Sequence, residues 1–260
     1  MSRKNAAMSR VDAAENIRLY TYTNHSAKHS DTVTVLIHEN RALIIDPSFP
    51  EYAERTKTEL AAENITPETI ILSHYHPDHS SGCAIFPDCR IYASEFYEPN
   101  FYNCQVWEPD FTYLKANFLI HHGDSLEFGP FRLQFHHAPG HSKCGIITEI
   151  NDKIIHVGDL IMMTWERKNS LPYITDGGSF DEHIKSLKQI KELDPEVAII
   201  PHGGLVNNKH RLHLLVDDRI HYLEKTLNSK GTLPLEECLK KDTSWYEFLE
   251  FHPRNLMHIS

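Results

Sequence analysis

The sequence predicts a sheet-rich α/β layered protein, and three observations carry that reading. Short β-branched and aromatic runs fill residues 17–157, two stretches of helical apolar spacing follow residue 178, and one more strand-like run, Val197–Ile200, lies between them. This order of elements suits stacked sheets and helices better than a helix bundle or an all-β barrel.

Each element has a local reason. Ile17–Thr23, Thr32–His38 and Ala42–Ile45 read as strands, the last two joined by a hairpin turn at Glu39, Asn40 and Arg41. Pro50–Asn64 reads as a helix, with Tyr52, Leu60 and several alanines on its inner face. Thr69–Leu72, Arg90–Ala93, Phe118–Ile120, Phe131–His136, Gly145–Ile150 and Lys153–Val157 are further strand-like runs. Phe180–Leu193 places Phe180, Ile184, Leu187 and Ile190 at helical spacing, and Arg211–Leu227 reads as a long amphipathic helix followed by shorter helical pieces. Residues 1–15 are expected to be a flexible tail, 16–206 the main domain, and 207–260 a helical extension packed on it.

A chain of 260 residues can bury a substantial core. Its 36 acidic residues outnumber 26 basic ones, for a formal net charge of −10. That balance opposes phosphate-backbone binding, which needs clustered Lys and Arg, so nucleic acid is not an expected partner. No apolar run approaches the roughly 18 residues needed to cross a bilayer, and the polar N-terminus does not resemble a signal peptide. The expected setting is the cytoplasm, without a membrane partner. Five cysteines (Cys83, Cys89, Cys104, Cys144, Cys238) form no regular framework, as befits reduced thiols. Nineteen histidines are the one unusual count.

Several of those histidines gather in "LSHYHPDHSSGC", residues 72–83. In an extended chain His74 and His76 face one way and Tyr75 the other. Pro77 keeps His76 out of the helical region, and Asp78 and His79 follow where the chain turns. Imidazole and carboxylate suit zinc, iron or manganese. Three later stretches repeat the arrangement of apolar strand, turn residue and metal-compatible side chain: "HHAPGHSKCG" with His141, "IIHVGDLIM" with Asp159, and "VAIIPHGG" with His202.

With these motifs the sequence resembles the metallo-β-lactamase superfamily over roughly residues 17–205. Its H-x-H-x-D-H appears as His74, His76, Asp78 and His79, its later elements as His141, Asp159 and His202, and Asp46 in "LIIDPSF" matches a supporting acid. The resemblance implies a four-layer αββα sandwich of two mixed sheets flanked by helices, with a metal site at one sheet edge. It also implies two divalent ions, zinc foremost and iron or manganese as alternatives. His74, His76 and His141 would hold one, and Asp78, His79 and His202 the other, with Asp159 bridging. Such a centre generates a hydroxide nucleophile near neutral pH and stabilises an oxyanion.

Departures from subfamily patterns narrow the reading. Flavin-linked di-iron reductases carry Glu in place of His76. Glyoxalase II and the persulfide dioxygenases follow the bridging aspartate with Gly-Cys-Gly-Arg, whereas "LIMMTWERKNSLPYITDGG" follows Asp159. Lactonases of acyl-homoserine lactones have a second Pro-Gly-His where this chain has "PGHSKCG". The processing nucleases' extra domains or basic arm and the periplasmic β-lactamases' export signal are not seen. The expected activity is hydrolysis of a small-molecule ester, thioester or lactone, with Asp78 also handling the leaving-group proton.

Phe96–Tyr113 and Met162–Tyr173, with Trp165, Arg167 and Lys168, are candidate pocket walls; the helices from Arg211 either roof the site or form a homodimer face. The doublets His121/His122 and His136/His137 are expected to be mostly solvated, with one of them a candidate support for a metal ligand, and Cys83 and Cys144 are expected to serve packing. Two rival readings stand: a mononuclear iron dioxygenase using His74, His141 and Asp159, and a ligand-binding regulatory protein that retains the site.

Overall fold

The computed structural model describes residues 3–25, 28–175 and 177–259. The first half builds one sheet. Strands β1 (Ala7–Ala14), β2 (Ile17–Thr23), β3 (Ser30–His38) and β4 (Arg41–Ile45) form an antiparallel meander, and helix α1 (Pro50–Ala62) crosses to β5 (Thr66–Ile71). The short helix α2 (Pro77–Ser80) follows, then β6 (Arg90–Ser94), α3 (Glu98–Trp107) and β7 (Phe118–Ile120). From β4 to β7 the strands pair in parallel, completing a seven-stranded sheet in chain order.

The second half builds another. Strands β8 (Ser125–Phe128), β9 (Phe131–His137), β10 (Ile146–Ile150) and β11 (Ile154–His156) are antiparallel neighbours. After β12 (Asn169–Ser170) and helix α4 (Phe180–Leu193), β13 (Val197–Ile200) joins β11 in parallel, and β14 (Gly204–Val206) closes a six-stranded sheet. Helix α5 (Lys209–Asn228) and α6 (Leu235–Cys238) precede β15 (Tyr246–Glu247), which pairs with β12, and α7 (Phe251–Leu256).

Alternation along the strands produces the layers. In β4, Leu43 and Ile45 point to the core between the sheets, where they meet Leu133, Phe135 and Ile199 of the second sheet. Ile44, one residue out of phase, points outward with Tyr22 and Ile70 against Tyr52 and Leu60 of α1. On the opposite outer face, Ile147, Ile155 and Ala198 pack against Ile184, Leu187 and Ile190 of α4 and Leu215 and Val216 of α5. Burying each such aliphatic side chain stabilises the fold by roughly 2 kcal/mol. The result is two mixed sheets face to face with helices outside, the αββα sandwich.

The expected helix boundaries of α4 hold for a visible reason: the Ser179 side chain accepts from Glu182 N–H, and Asp194 ends the helix in a left-handed conformation. The flexible-tail expectation for residues 1–15 is corrected. Ala7–Ala14 is an edge strand on β2, while residues 1 and 2 lie outside the described set. Its side chains are mostly exposed, so backbone pairing holds it and no apolar pattern announces it. The C-terminal pieces are not all helical either, since β15 interrupts them.

The topology brings strand ends together. Parallel pairing of β11 with β13 places the chain following each at the same edge. There Ile146 N–H donates to the Ser73 carbonyl at 2.7 Å, tying the second sheet to the segment that follows β5 in the first.

Candidate metal centre

That edge gathers all seven ligand candidates. His76 is the last extended residue (φ −116°, ψ 158°), Pro77 opens α2, and Asp78 and His79 lie on its turn. Tyr75 is buried in the outer core, as alternation requires. His141 lies in the β9–β10 loop, where Gly140 packs so closely on α4 that an added Cβ would stand 2.3 Å from His183 Cα. Asp159 follows Gly158, whose φ of +53° favours glycine, and His202 follows β13.

Two groups of ligand atoms result. In the first, His76 Nδ1 lies 3.0 Å from His74 Nε2 and 3.1 Å from His141 Nε2. In the second, His202 Nε2 lies 3.2 Å from Asp78 Oδ2, and His79 Nε2 lies 3.9 Å from Asp78 Oδ1. Asp159 stands between them. Its Oδ2 is 3.7 Å from His141 Nε2, 4.0 Å from His74 Nε2 and 3.4 Å from His202 Nε2, while its Oδ1 is 3.4 Å from His79 Nε2. A tetrahedral ion with metal–nitrogen bonds near 2.0 Å separates its ligand atoms by about 3.3 Å, close to these spacings.

The surrounding groups orient the rings. The Nδ1–H of His141 donates to the Tyr173 carbonyl at 2.7 Å, that of His202 to the Ser30 carbonyl at 3.0 Å, and that of His79 to Asp46 Oδ2 at 2.8 Å. These bonds aim each Nε2 at the centre, where its lone pair is available to a cation once any proton there has left. Asp46 is itself fixed by Ser73, whose backbone N–H and hydroxyl donate to it at 2.7 and 2.6 Å. The same hydroxyl lies 3.1 Å from His74 Nδ1. His79 Nε2 and Asp159 Oδ1 are buried without a hydrogen bond, which is costly unless a cation satisfies both. The donor set therefore fits a metal.

Proton affinities divide along the same line. Burial, then the neighbouring imidazoles His79 and His76, hold His74 well below the usual histidine value, and burial depresses His141 to about 4. Burial opposes charge on His79 and His202 too, yet Asp159 and Asp78 outweigh it and hold both well above that value. In return His79 and His202, overcoming burial, keep Asp78 and Asp159 below the ordinary carboxylate range.

The centre floors a cavity of about 430 Å³. Trp107, Met162, Tyr173, Phe248 and Phe251 wall it, and among the described residues no Lys or Arg lines it. Trp107 comes from α3, within the aromatic stretch Phe96–Tyr113, and Met162 and Tyr173 from the segment after Asp159. Trp165, Arg167 and Lys168 of that segment line other cavities. The C-terminal segment contributes to the roof through Phe248 and Phe251.

Several neighbours carry no sequence signal. Asp31 Oδ1 lies 3.3 Å from His202 Nδ1, and His29 stands beside His202 at the cavity wall. His136 is buried against Glu149 Oε2 at 2.8 Å, an exception to the mostly solvated expectation for the doublets; none of the doublet histidines is among the residues grouped at the centre. Cys83 and Cys144 are buried, and Cys144 Sγ accepts from Tyr75 N–H at 3.3 Å, in keeping with packing.

A sequence model of the metallo-β-lactamase superfamily matches residues 29–202, and the chain belongs to that superfamily. Among curated proteins it is similar to hydroxyacylglutathione hydrolases. One from Aeromonas hydrophila is 26% identical over 55% of this chain and 51% of the relative, and one from Photorhabdus laumondii is 30% identical over 78% and 76%. It spans only about half the length of the first of these. The mitochondrial persulfide dioxygenase of Bos taurus is 24% identical over 81% of this chain and 76% of that protein. A solved metallo-β-lactamase from Pontibacter korlensis, 12% identical, shares the fold with a TM-score of 0.67 over 84% of this chain and 99% of that one. No helix among the described residues is long and apolar enough to cross a membrane.

Proposed function

We propose that the chain is a dinuclear metal-dependent hydrolase acting on a small-molecule ester, thioester or lactone. The observation that carries this is a pair of three-residue clusters sharing Asp159 at the floor of an apolar-walled cavity. His74, His76 and His141 would hold one ion, Asp78, His79 and His202 the other, and Asp159 both. Divalent ions held there would supply the Lewis acidity that activates water near neutral pH and polarises a carbonyl.

The protein's own groups do the rest. The Tyr173 and Ser30 carbonyls and Asp46 fix the imidazoles, so little reorganisation accompanies reaction. Trp107, Phe248 and Phe251 hold an apolar acyl group and exclude water. Asp78, held anionic and facing the cavity, is placed to accept a proton and return it to the leaving group. A wall without Lys or Arg among the described residues favours neutral carbonyl substrates over phosphodiesters. Hydrolases among the relatives support the reaction type.

The test is a panel of esters, thioesters, lactones and phosphodiesters assayed after metal reconstitution. Turnover of a carbonyl substrate, abolished by Asp159→Ala, is expected; unchanged turnover in that variant contradicts the assignment. A second reading draws on the persulfide dioxygenase relative and on the convergence of His74, His141 and Asp159. Oxygen uptake with a thiol substrate would favour it, and anaerobic hydrolysis counts against it.

A further inference from the structure

A second cavity, of about 400 Å³, shares no lining residue with the first. Five cationic side chains border it, Arg167, Lys168, Arg211, Lys240 and Lys241, against one carboxylate, Asp218. In a chain of net charge −10, such a concentration of like charge is costly without a counter-anion. Asp218 offsets one charge at most: its oxygens accept from Tyr246 Oη at 2.7 Å and Asn169 Nδ2 at 3.2 Å, and among the described residues none of the five cations is at ion-pair distance from it. Lys168 has Glu247 at 3.2 Å, but among the described residues the other four cations have no carboxylate at ion-pair distance.

The arginines are held in place. An Arg167 guanidinium nitrogen donates to the Leu205 carbonyl at 2.7 Å, and one from Arg211 donates to the Arg167 carbonyl at 3.3 Å. Burial and the facing Arg211 charge both disfavour the Arg167 cation. Arg211 also lies in the first turn of the 20-residue helix α5, and no acidic residue lies in that turn. Cations there oppose the helix dipole, and a bound anion relieves both conflicts.

We propose that this cavity binds the phosphoryl group of a small molecule. Forked guanidinium and mobile ammonium groups match its several acceptor oxygens. Trp245, 59% exposed, and Leu214, 55% exposed, form an apolar lip beside it. The Lys241 ammonium lies 4.3 Å from the Trp245 ring centre, so one face of that ring already carries a cation. A flat ring attached to the phosphate would use the other face or displace the lysine. Binding here does not depend on the metal centre.

Calorimetric titration of the whole, metal-stripped chain with inorganic phosphate, adenosine monophosphate and adenosine tests the proposal without involving hydrolysis. Both phosphates are expected to bind and adenosine not to. Tighter binding of the nucleotide assigns its ring to Trp245, whereas equal affinities assign the free anion; both uphold the site. Arg211→Gln and the double variant Lys240→Gln/Lys241→Gln should each weaken binding by about tenfold or more, the usual cost of a charge-assisted contact. Arg211 also braces the backbone, but the two lysines are exposed, so the double variant keeps the test valid if the first misfolds. No heat with either phosphate at millimolar concentration, equal binding of adenosine, or unchanged affinity in the double variant overturns the proposal.

Discussion

The cluster of His74, His76 and His141 and the cluster of Asp78, His79 and His202 share one carboxylate, yet they treat protons in opposite ways. In the first, burial drives protons from His74 and His141, so their lone pairs are offered to a cation throughout the neutral range. In the second, Asp78 and Asp159 hold protons on His79 and His202, which a cation must displace. Sharing a carboxylate thus makes the two halves unequal. The first is a site of neutral nitrogens; the second is a site of ion pairs in which protons stand in for metal.

The strongest way to separate them is through Asp46, which touches His79 directly and His74 only by way of Ser73. Asp46→Asn keeps the shape but cannot accept from His79 in the same way. It should weaken metal binding at the second cluster by roughly 10–100-fold, the usual effect of losing an outer partner, with less change at the first. Competition titration against a chromophoric chelator measures both affinities, with circular dichroism to verify folding; equal loss at both would erase the distinction.

A smaller effect concerns stability without metal. His79 and His202 are more basic folded than unfolded, so their contribution is complete below the unfolded value of about 6.5 and is lost as pH rises through the folded values. Asp78 and Asp159 work on the other side, stabilising above the unfolded carboxylate value and losing that contribution only in acid. Chelator-stripped protein should therefore melt lower as pH rises above neutral. The fall should be about 2–4 °C for each kcal/mol lost, and added metal should remove it. A melting temperature that is level or rising over that range contradicts the proton-for-metal exchange.

What the sequence makes legible follows from burial. Strands such as β4 and β13 are recognisable because apolar side chains fill layers on both sides of the sheet. The motifs behind His74, His141, Asp159 and His202 are recognisable because each trails such a strand. By contrast β1 is written in exposed residues, and β14 and β15 are too short to show a period. The carbonyls of Ser30 and Tyr173 leave no trace in residue identity, although they aim two imidazoles. Phe248 and Phe251 read as ordinary residues of a C-terminal extension until the fold brings them over the cavity.

The central claim is that two ions share Asp159. Metal analysis of the native chain, purified without added metal and then reconstituted, measures this directly. Two ions per chain are predicted, with Asp78→Asn retaining about one. A wild-type chain that binds only one ion at saturation, or an Asp78→Asn variant that still binds two, would contradict it.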